Sequence, residues 1–219
     1  MSLAQSWRFF RGCLREPRVV GALTPSSRSL ALALCEPYRT YRAPARVLEV
    51  GAGTGAITKH LGPLLKPRDE LDVCEIKPDF AEVIERDVLR RPAFMPAVEA
   101  GRVRVLCQPV QALSAEHQYD FVISALPFTA FGLDDVRTIF EVIRQCLKPN
   151  GVFSYFEYVG IRRTTRVLSL GRERARIRSV SEFLNQRIRS HQFARRTILQ
   201  NVPPAHARYL RFNGTNGAP

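Results

Sequence analysis

From position 46 onward, short apolar runs alternate with stretches whose apolar residues recur at helical spacing, as in a parallel α/β sheet. The pattern predicts strands at 46–50, 70–75, 103–107, 121–125 and 152–158, with helices near 56–65, 78–89 and 134–147. Lys148-Pro149-Asn150-Gly151 then reads as a helix stop followed by a turn. Past Tyr158 an arginine-rich segment leads to two runs with strand character, around 194–200 and 208–212. The last residues, 213–219, are rich in Gly and Asn and predict a flexible tail. No internal repeat is visible.

A different pattern precedes the first strand. Leu3, Trp7, Phe10 and Leu14 fall on one helical face, and Arg8, Arg11, Arg15 and Arg18 repeat the same spacing on the adjacent face. Pro17 ends this amphipathic N-terminal helix near Glu16. Such a helix either packs its apolar stripe on the domain and leaves the arginines solvated, or lies in a bilayer interface with its guanidinium groups on phosphates. The two uses are compatible. The resulting division is a helical segment at 1–45 acting as a membrane or substrate cap, one α/β domain at 46–212, and the tail at 213–219.

Composition narrows the partners. The chain has 219 residues, enough for one domain with a substantial core, and a formal net charge of +13. That charge predicts attraction to a polyanion: nucleic acid, an anionic membrane surface or an acidic substrate. Lys59, Lys66, Lys77 and Lys148 are the only lysines, so the excess is nearly all guanidinium, which favours bidentate contact with phosphate or carboxylate. Cys13, Cys35, Cys74, Cys107 and Cys146 form no C-x-x-C pair and predict reduced thiols in a cytoplasmic protein. No apolar run approaches the roughly 18 to 20 residues of a membrane-spanning helix, so any contact with the inner face of the cell membrane is expected to be peripheral.

The most specific local signal is VLEVGAGTGAITKHL at 47–61, a strand carrying Glu49 that runs into Gly51, Gly53 and Gly55 and then a helix. Glycines let the backbone turn sharply and approach a ligand closely. Their G-x-G-x-G spacing differs from the G-x-G-x-x-G of dinucleotide sites. The second strand ends at Glu75, an acidic residue able to accept both hydroxyls of a ribose. The turn after the third strand offers Gln108, whose side-chain amide can bond an adenine amino group or simply sit in a loop. Together these features resemble the class I S-adenosylmethionine-dependent methyltransferases. The resemblance covers residues 45–212 and implies a Rossmann-like seven-stranded sheet with helices on both faces. It also implies S-adenosyl-L-methionine as cofactor, bound by Glu49, Gly51, Gly53, Gly55, Glu75, Gln108 and Ser124, with no metal.

Within that class the chain resembles bacterial phospholipid and ornithine lipid N-methyltransferases. Three stretches carry this: Phe9-Phe10-Arg11-Gly12 through Pro17-Arg18-Val19-Val20-Gly21-Ala22 with Thr24-Pro25-Ser26-Ser27; Ala125-Leu126-Pro127-Phe128; and Asn201-Val202-Pro203-Pro204-Ala205. The first two are echoed in ribosomal RNA adenine dimethyltransferases, so adenine N6 methylation of RNA is the alternative activity.

Amine chemistry separates the two. Adenine N6 has its lone pair delocalised into the ring, and enzymes acting on it commonly grip it with an Asn or Asp side chain, a backbone carbonyl and a stacking aromatic. An alkyl amine is nucleophilic once deprotonated and needs proton loss, positioning and exclusion of water. The stretch SALPFTAF at 124–131 has Ser124 and Ala125 where the polar residue would stand. This favours a lipid amine, oriented by the carbonyl at Leu126 with Pro127 fixing the turn, and with Phe128 or Phe131 facing the cation. Leu126, Pro127 and Phe128 are therefore the candidate catalytic residues. Glu157 and Tyr158 are candidate proton acceptors, with a packing or ion-pairing role equally open to them.

Arg162, Arg163 and Arg166 follow the fifth strand and are candidates, with Arg8, Arg11, Arg15 and Arg18, for binding a lipid phosphate or carboxylate. Arg172, Arg174, Arg176 and Arg178 alternate, reading as a loop over the site or a solvated face. Nucleic acid is disfavoured as a partner, because the chain lacks a recognisable RNA-binding appendage and an aromatic-rich surface for splayed bases. A non-enzymatic binding module is disfavoured by the intact glycine loop with Glu49 and Glu75.

Overall fold

The computed structural model describes residues 27–114, 116–160 and 171–212. Seven strands form one sheet in the order β3-β2-β1-β4-β5-β7-β6. They are β1 (Arg46–Val50), β2 (Glu70–Cys74), β3 (Val103–Leu106), β4 (Tyr119–Ser124), β5 (Leu147–Tyr158), β6 (Gln192–Ile198) and β7 (Ala205–Arg211). The first five run parallel, and β7 lies antiparallel between β5 and β6. The predicted α/β class and each predicted strand are present.

The strands are apolar on both faces because helices cover both. On one face, Val47, Val73, Ile123 and Phe156 meet α1 (Arg28–Leu34), α2 (Glu36–Thr40) and α3 (Thr58–Leu61). On the other, Leu48, Val122 and Phe153 meet α6 (Leu133–Cys146) and α7 (Gly171–His191), the numbering leaving α4 (Pro78–Val83) and α5 (Met95–Glu99) between. Two buried aspartates fasten the bottom of the sheet. Asp69 accepts from the Tyr38 hydroxyl at 2.5 Å and from the Ala45 and Lys66 backbone N–H groups. Asp72 accepts from Arg104, Arg46 and Tyr119. Burial alone would raise the Asp72 pKa, but those donors outweigh it and hold the carboxyl below its usual range.

Two elements differ from the pattern-based expectation. The alternating arginines lie on no loop but on the 21-residue helix α7, where Arg172, Arg174 and Arg178 make the solvated face expected as the other alternative and Ile177, Val180, Phe183 and Leu184 are buried. Four apolar residues make a stripe too narrow to stand out among the arginines, and packing on α6 and β7 holds it. The stop after α6 is shorter than expected: Leu147 already pairs with Tyr119, and the turn is a bulge inside β5 with Asn150 at φ 65°.

The register fixes one feature that matters for function. Tyr158 of β5 and Ile198 of β6 both pair with Ala205 of β7. The β6–β7 connection therefore lies on the carboxyl edge of the parallel strands, the edge that carries the loops after β1 and β4. The predicted N-terminal helix with Arg8, Arg11, Arg15 and Arg18, the trio Arg162, Arg163 and Arg166, and the tail 213–219 all lie outside the described residues.

Candidate functional site

The glycine loop after β1 is shaped by left-handed backbone: Gly51, Gly53 and Gly55 have φ of 70°, 60° and 84°. Gly51 and Gly55 are also close approaches. A Cβ at Gly51 would lie 2.3 Å from Leu126 Cδ2, and one at Gly55 would lie 2.7 Å from Val88 Cγ2. At Gly53 nothing comes within 4 Å, so that side of the loop is open. Two anchors tie the loop to β2: Gly51 N–H donates to the Cys74 carbonyl at 2.9 Å, and Gly53 N–H donates to Glu75 Oε2 at 2.7 Å.

Glu75 is buried, and its other oxygen accepts from Lys77 N–H at 3.0 Å. Burial raises its pKa, and the bonds from Lys77 and Gly53 work against that rise. Each oxygen keeps a lone pair for a ribose hydroxyl. Glu49 is different. It is fully buried, with no hydrogen-bond partner for either oxygen. Burial pushes its pKa up to about 8, with nearby Thr58 lowering it and Glu75 adding to the rise. Cys35 lies close enough to feel its charge, and burial and Glu49 together push that thiol well up, so it is unreactive. Burial therefore keeps Glu49 protonated at neutral pH, and a cation beside it would favour the ionised form. An acidic pair beside an open glycine turn fits a cationic cofactor with a ribose.

The cleft sits over the carboxyl ends of β1 to β4. It holds about 480 Å³ of empty space, counting its open side. Gly51, Cys74, Ile76, Gln108, Pro109, Val110, Gln111, Leu126, Phe131, Asp135 and Ile139 line it. Of the residues expected from sequence, the fold brings Gly51, Gln108, Leu126 and Phe131 to this wall. Glu75 braces the loop beside it, and Glu49 lies beneath the loop on the α1 face. Ile76 and Val110 were missed although each is within two residues of an expected one. Asp135 and Ile139 come from α6, and no local signal points to them. Burial raises the Asp135 pKa, Asp134 adds to the rise, and the Gly132 backbone opposes it.

In SALPFTAF, Ser124 is fully buried and its hydroxyl accepts from Leu126 N–H at 3.1 Å. Ala125 N–H donates to the Val50 carbonyl at 3.0 Å, so the motif leaves β4 still bonded to β1. Phe128 begins a 3-10 turn and points into the core, with ring centroids 5.0 Å from Phe140 and 5.5 Å from Tyr155. Of the two rings expected as alternatives to face the cation, both belong to the buried cluster, and Phe131 but not Phe128 also lines the cleft.

Arg176 of α7 reaches back to this turn. It donates to the Thr129 carbonyl at 3.1 Å and to the Phe131 carbonyl, and pairs with Glu173 at 2.6 Å. It is bound within the protein, so the solvated face read for the alternating arginines does not include it. Glu157 is nearly buried and pairs with Arg208 at 2.5 Å. Tyr158 stands edge-on to Phe156, and burial raises its pKa. Neither lines the cleft. Among the described residues, no group of three or more His, Cys, Asp or Glu is placed to hold a metal, and no helix is long and apolar enough to cross a membrane.

Comparison with known proteins agrees with this geometry. A family described as "Methyltransferase domain" matches residues 48–153. An ornithine lipid N-methyltransferase from Singulisphaera acidiphila is 36% identical over 137 residues, 62% of this chain and 68% of that protein. A malonyl-[acyl-carrier protein] O-methyltransferase from Priestia megaterium is 29% identical over 112 residues, 50% of this chain and 36% of that protein. The fold is similar to that of the Burkholderia thailandensis 1,6-didemethyltoxoflavin-N1-methyltransferase, solved with S-adenosylhomocysteine, at TM-score 0.60 and 17% identity over 97% of this chain and 91% of that one. A putative O-methyltransferase from Klebsiella pneumoniae gives TM-score 0.62 and 15% identity over 94% and 90%.

Proposed function

Because the chain belongs to the class I S-adenosylmethionine-dependent methyltransferases, we propose that it methylates the head-group amine of a membrane lipid, phosphatidylethanolamine or an ornithine lipid, at the inner membrane surface. The observation that carries this reading is Ser124. It stands where enzymes acting on a planar amine keep a polar grip, yet it is buried and its hydroxyl accepts from Leu126 N–H. An alkyl amine needs no such grip. The similarity to the ornithine lipid N-methyltransferase supports the same substrate class.

The cofactor, when bound, supplies a methyl group on a sulfonium. Gly53 and Glu75 would hold its ribose, Gln108 its adenine amino group, and Glu49 would balance its positive charge from beneath the loop. Leu126, Ile139 and Phe131 form an apolar wall that excludes water, which also favours the neutral, nucleophilic form of the amine. The Leu126 carbonyl, with Pro127 limiting the turn, would orient that amine as it gives up its proton, and the Phe131 ring would face the methylated cation. Arg162, Arg163 and Arg166 would hold the lipid phosphate or carboxylate.

The test offers radiolabelled cofactor with mixed bacterial lipids, ribosomal subunits or acyl carrier protein. Label is expected in the lipid fraction as a base-stable N-methyl group. Label confined to RNA, or released by mild base as from a methyl ester, overturns the reading.

A further inference from the structure

We propose that the β6–β7 connection, with Val159 beside it, is a membrane-contacting tip that places its aliphatic side chains in an anionic bilayer and sets the carboxyl edge of the sheet against the head groups. Val202 and Leu199 are 75% and 72% exposed, the most exposed large apolar residues described, and Val159 is 41% exposed. A single exposed Leu is ordinary. Here the exposure is enforced by the fold.

Asn201, between Leu199 and Val202, is buried. It accepts from Ser27 N–H at 3.1 Å and donates to the Pro203 carbonyl at 2.7 Å. Val159 N–H donates to the Pro204 carbonyl at 2.7 Å, and Ile198 and Ala205 are buried at the two roots. The turn is thus braced from three sides with its aliphatic side chains left pointing outward.

The charge around it suits an anionic surface. Arg28, exposed, follows the Ser27 that anchors the turn, and Arg195 is exposed on β6, the strand that leads into it. The chain as a whole carries a formal +13. Three aliphatic side chains on a convex edge bury too little for a stable protein interface, but they suit partition into acyl chains backed by arginine on phosphate. The position is also right. From β4 across β5 and β7 to β6 is three strand spacings, about 15 Å, so a bilayer touching the tip presents its head groups to the end of β4. The tip gives the lipid reading its use, since a cleft on that edge can act on an amine still in the leaflet, but its test does not depend on that reading.

The full-length protein would be floated with vesicles of phosphatidylcholine alone or mixed with phosphatidylglycerol. We expect binding to the mixed vesicles, weakened by salt. Leu199→Ser with Val202→Ser should weaken that binding about ten-fold or more, with melting temperature and cofactor affinity unchanged. Leu199→Trp should tighten it and give a vesicle-dependent blue shift beyond that of the wild type, whose lone tryptophan is Trp7. Binding by the double variant equal to wild type, no added blue shift, or a change in oligomeric state without a change in vesicle binding would each overturn the tip. Methylation assayed in detergent micelles separates the two proposals. Vesicle binding through the tip with no lipid amine labelled sinks the substrate and keeps the tip; labelled lipid with an unaffected double variant does the reverse.

Discussion

The two halves of the carboxyl edge are held by opposite means. On the β1–β2 half, a carboxylate, Glu75, reaches out and takes the backbone N–H groups of Gly53 and Lys77, while Glu49 waits beneath without a partner. On the β4–α7 half, the motif turns Ser124 to its own backbone and Phe128 to the aromatic core, while its Leu126 and Phe131 give the cleft an apolar wall. Its backbone carbonyls are then held by Arg176, from a helix 45 to 47 residues further along the chain. One half thus offers two buried carboxyl groups, of which Glu49 ionises more readily when a cation joins it. The other offers shape and carbonyls, suited to an amine that needs placement more than activation.

The contrast can be broken most strongly at Phe128. If it is a core ring, Phe128→Ala should cost about 3–5 kcal/mol of stability in urea titration, with cofactor affinity of the folded fraction unchanged. Phe128→Leu should recover most of that stability and most of the activity. Full stability with lost turnover in the Leu variant would place the ring at the chemistry after all.

Glu49 tests the other half. Its folded pKa of about 8 lies above the ordinary value near 4.5, chiefly through burial. Below pH 4.5 Glu49 is protonated in both states, and in the protein without cofactor its contribution to stability is fully present. Between there and pH 8 the unfolded chain ionises while the folded one stays neutral, so stability falls as pH rises, by a few kcal/mol in total. Glu49→Gln should flatten that profile and be the more stable protein above pH 8. A cationic cofactor favours the ionised form, so its affinity in the wild type should rise from pH 6 to 8, by up to about ten-fold per unit, and the rise should vanish in the Gln variant. Parallel pH profiles for the two proteins would remove Glu49 from the cofactor account.

Glu75 should matter through contacts more than charge. Losing its two backbone bonds and the ribose contact predicts about 100-fold weaker cofactor binding for Glu75→Ala, at roughly 1.5–3 kcal/mol for each charged hydrogen bond and with partial compensation by water. Glu75→Gln keeps one acceptor and should lose about ten-fold. Calorimetric titration with the cofactor measures both, and equal affinity in the Ala variant would mean that the ribose lies elsewhere.

The halves also differ in how legible they were in the sequence. Strand β1 and the three glycines form one local pattern, and Glu75, 22 residues past Gly53, reaches the loop because it follows the paired strand β2, so the fold places them as the strand pattern predicts. On the other half SALPFTAF marked the right loop but not the direction of its rings. Phe128 and Phe131 look alike in sequence and both are buried; only the packing of Phe128 on Phe140, Phe153 and Tyr155 leaves Phe131 as the one that lines the cleft. Helix α7 was hidden by its own composition, because alternating arginines masked a four-residue apolar stripe. Asp135 and Ile139 reach the cleft only because α6 packs over β4, and that is tertiary information.

Arg176 gives the smallest expected effect and the sharpest test of the comparison. Its guanidinium spans the Thr129 and Phe131 carbonyls while the other side of the fork pairs with Glu173, a planar arrangement that an ammonium cannot reproduce. Arg176→Lys keeps the charge and can reach one carbonyl, so stability should fall by about 1 kcal/mol or less. If the motif works by placing an amine, loosening its turn should lower kcat about ten-fold, since modest misplacement is enough for such a loss. Cofactor affinity should stay at the wild-type value, because Arg176 touches nothing on the β1–β2 half. A melting-temperature change with kcat intact would make Arg176 a structural tie only. An equal loss in cofactor affinity would show that the two halves are coupled, and the division of labour between charge and shape would have to be redrawn.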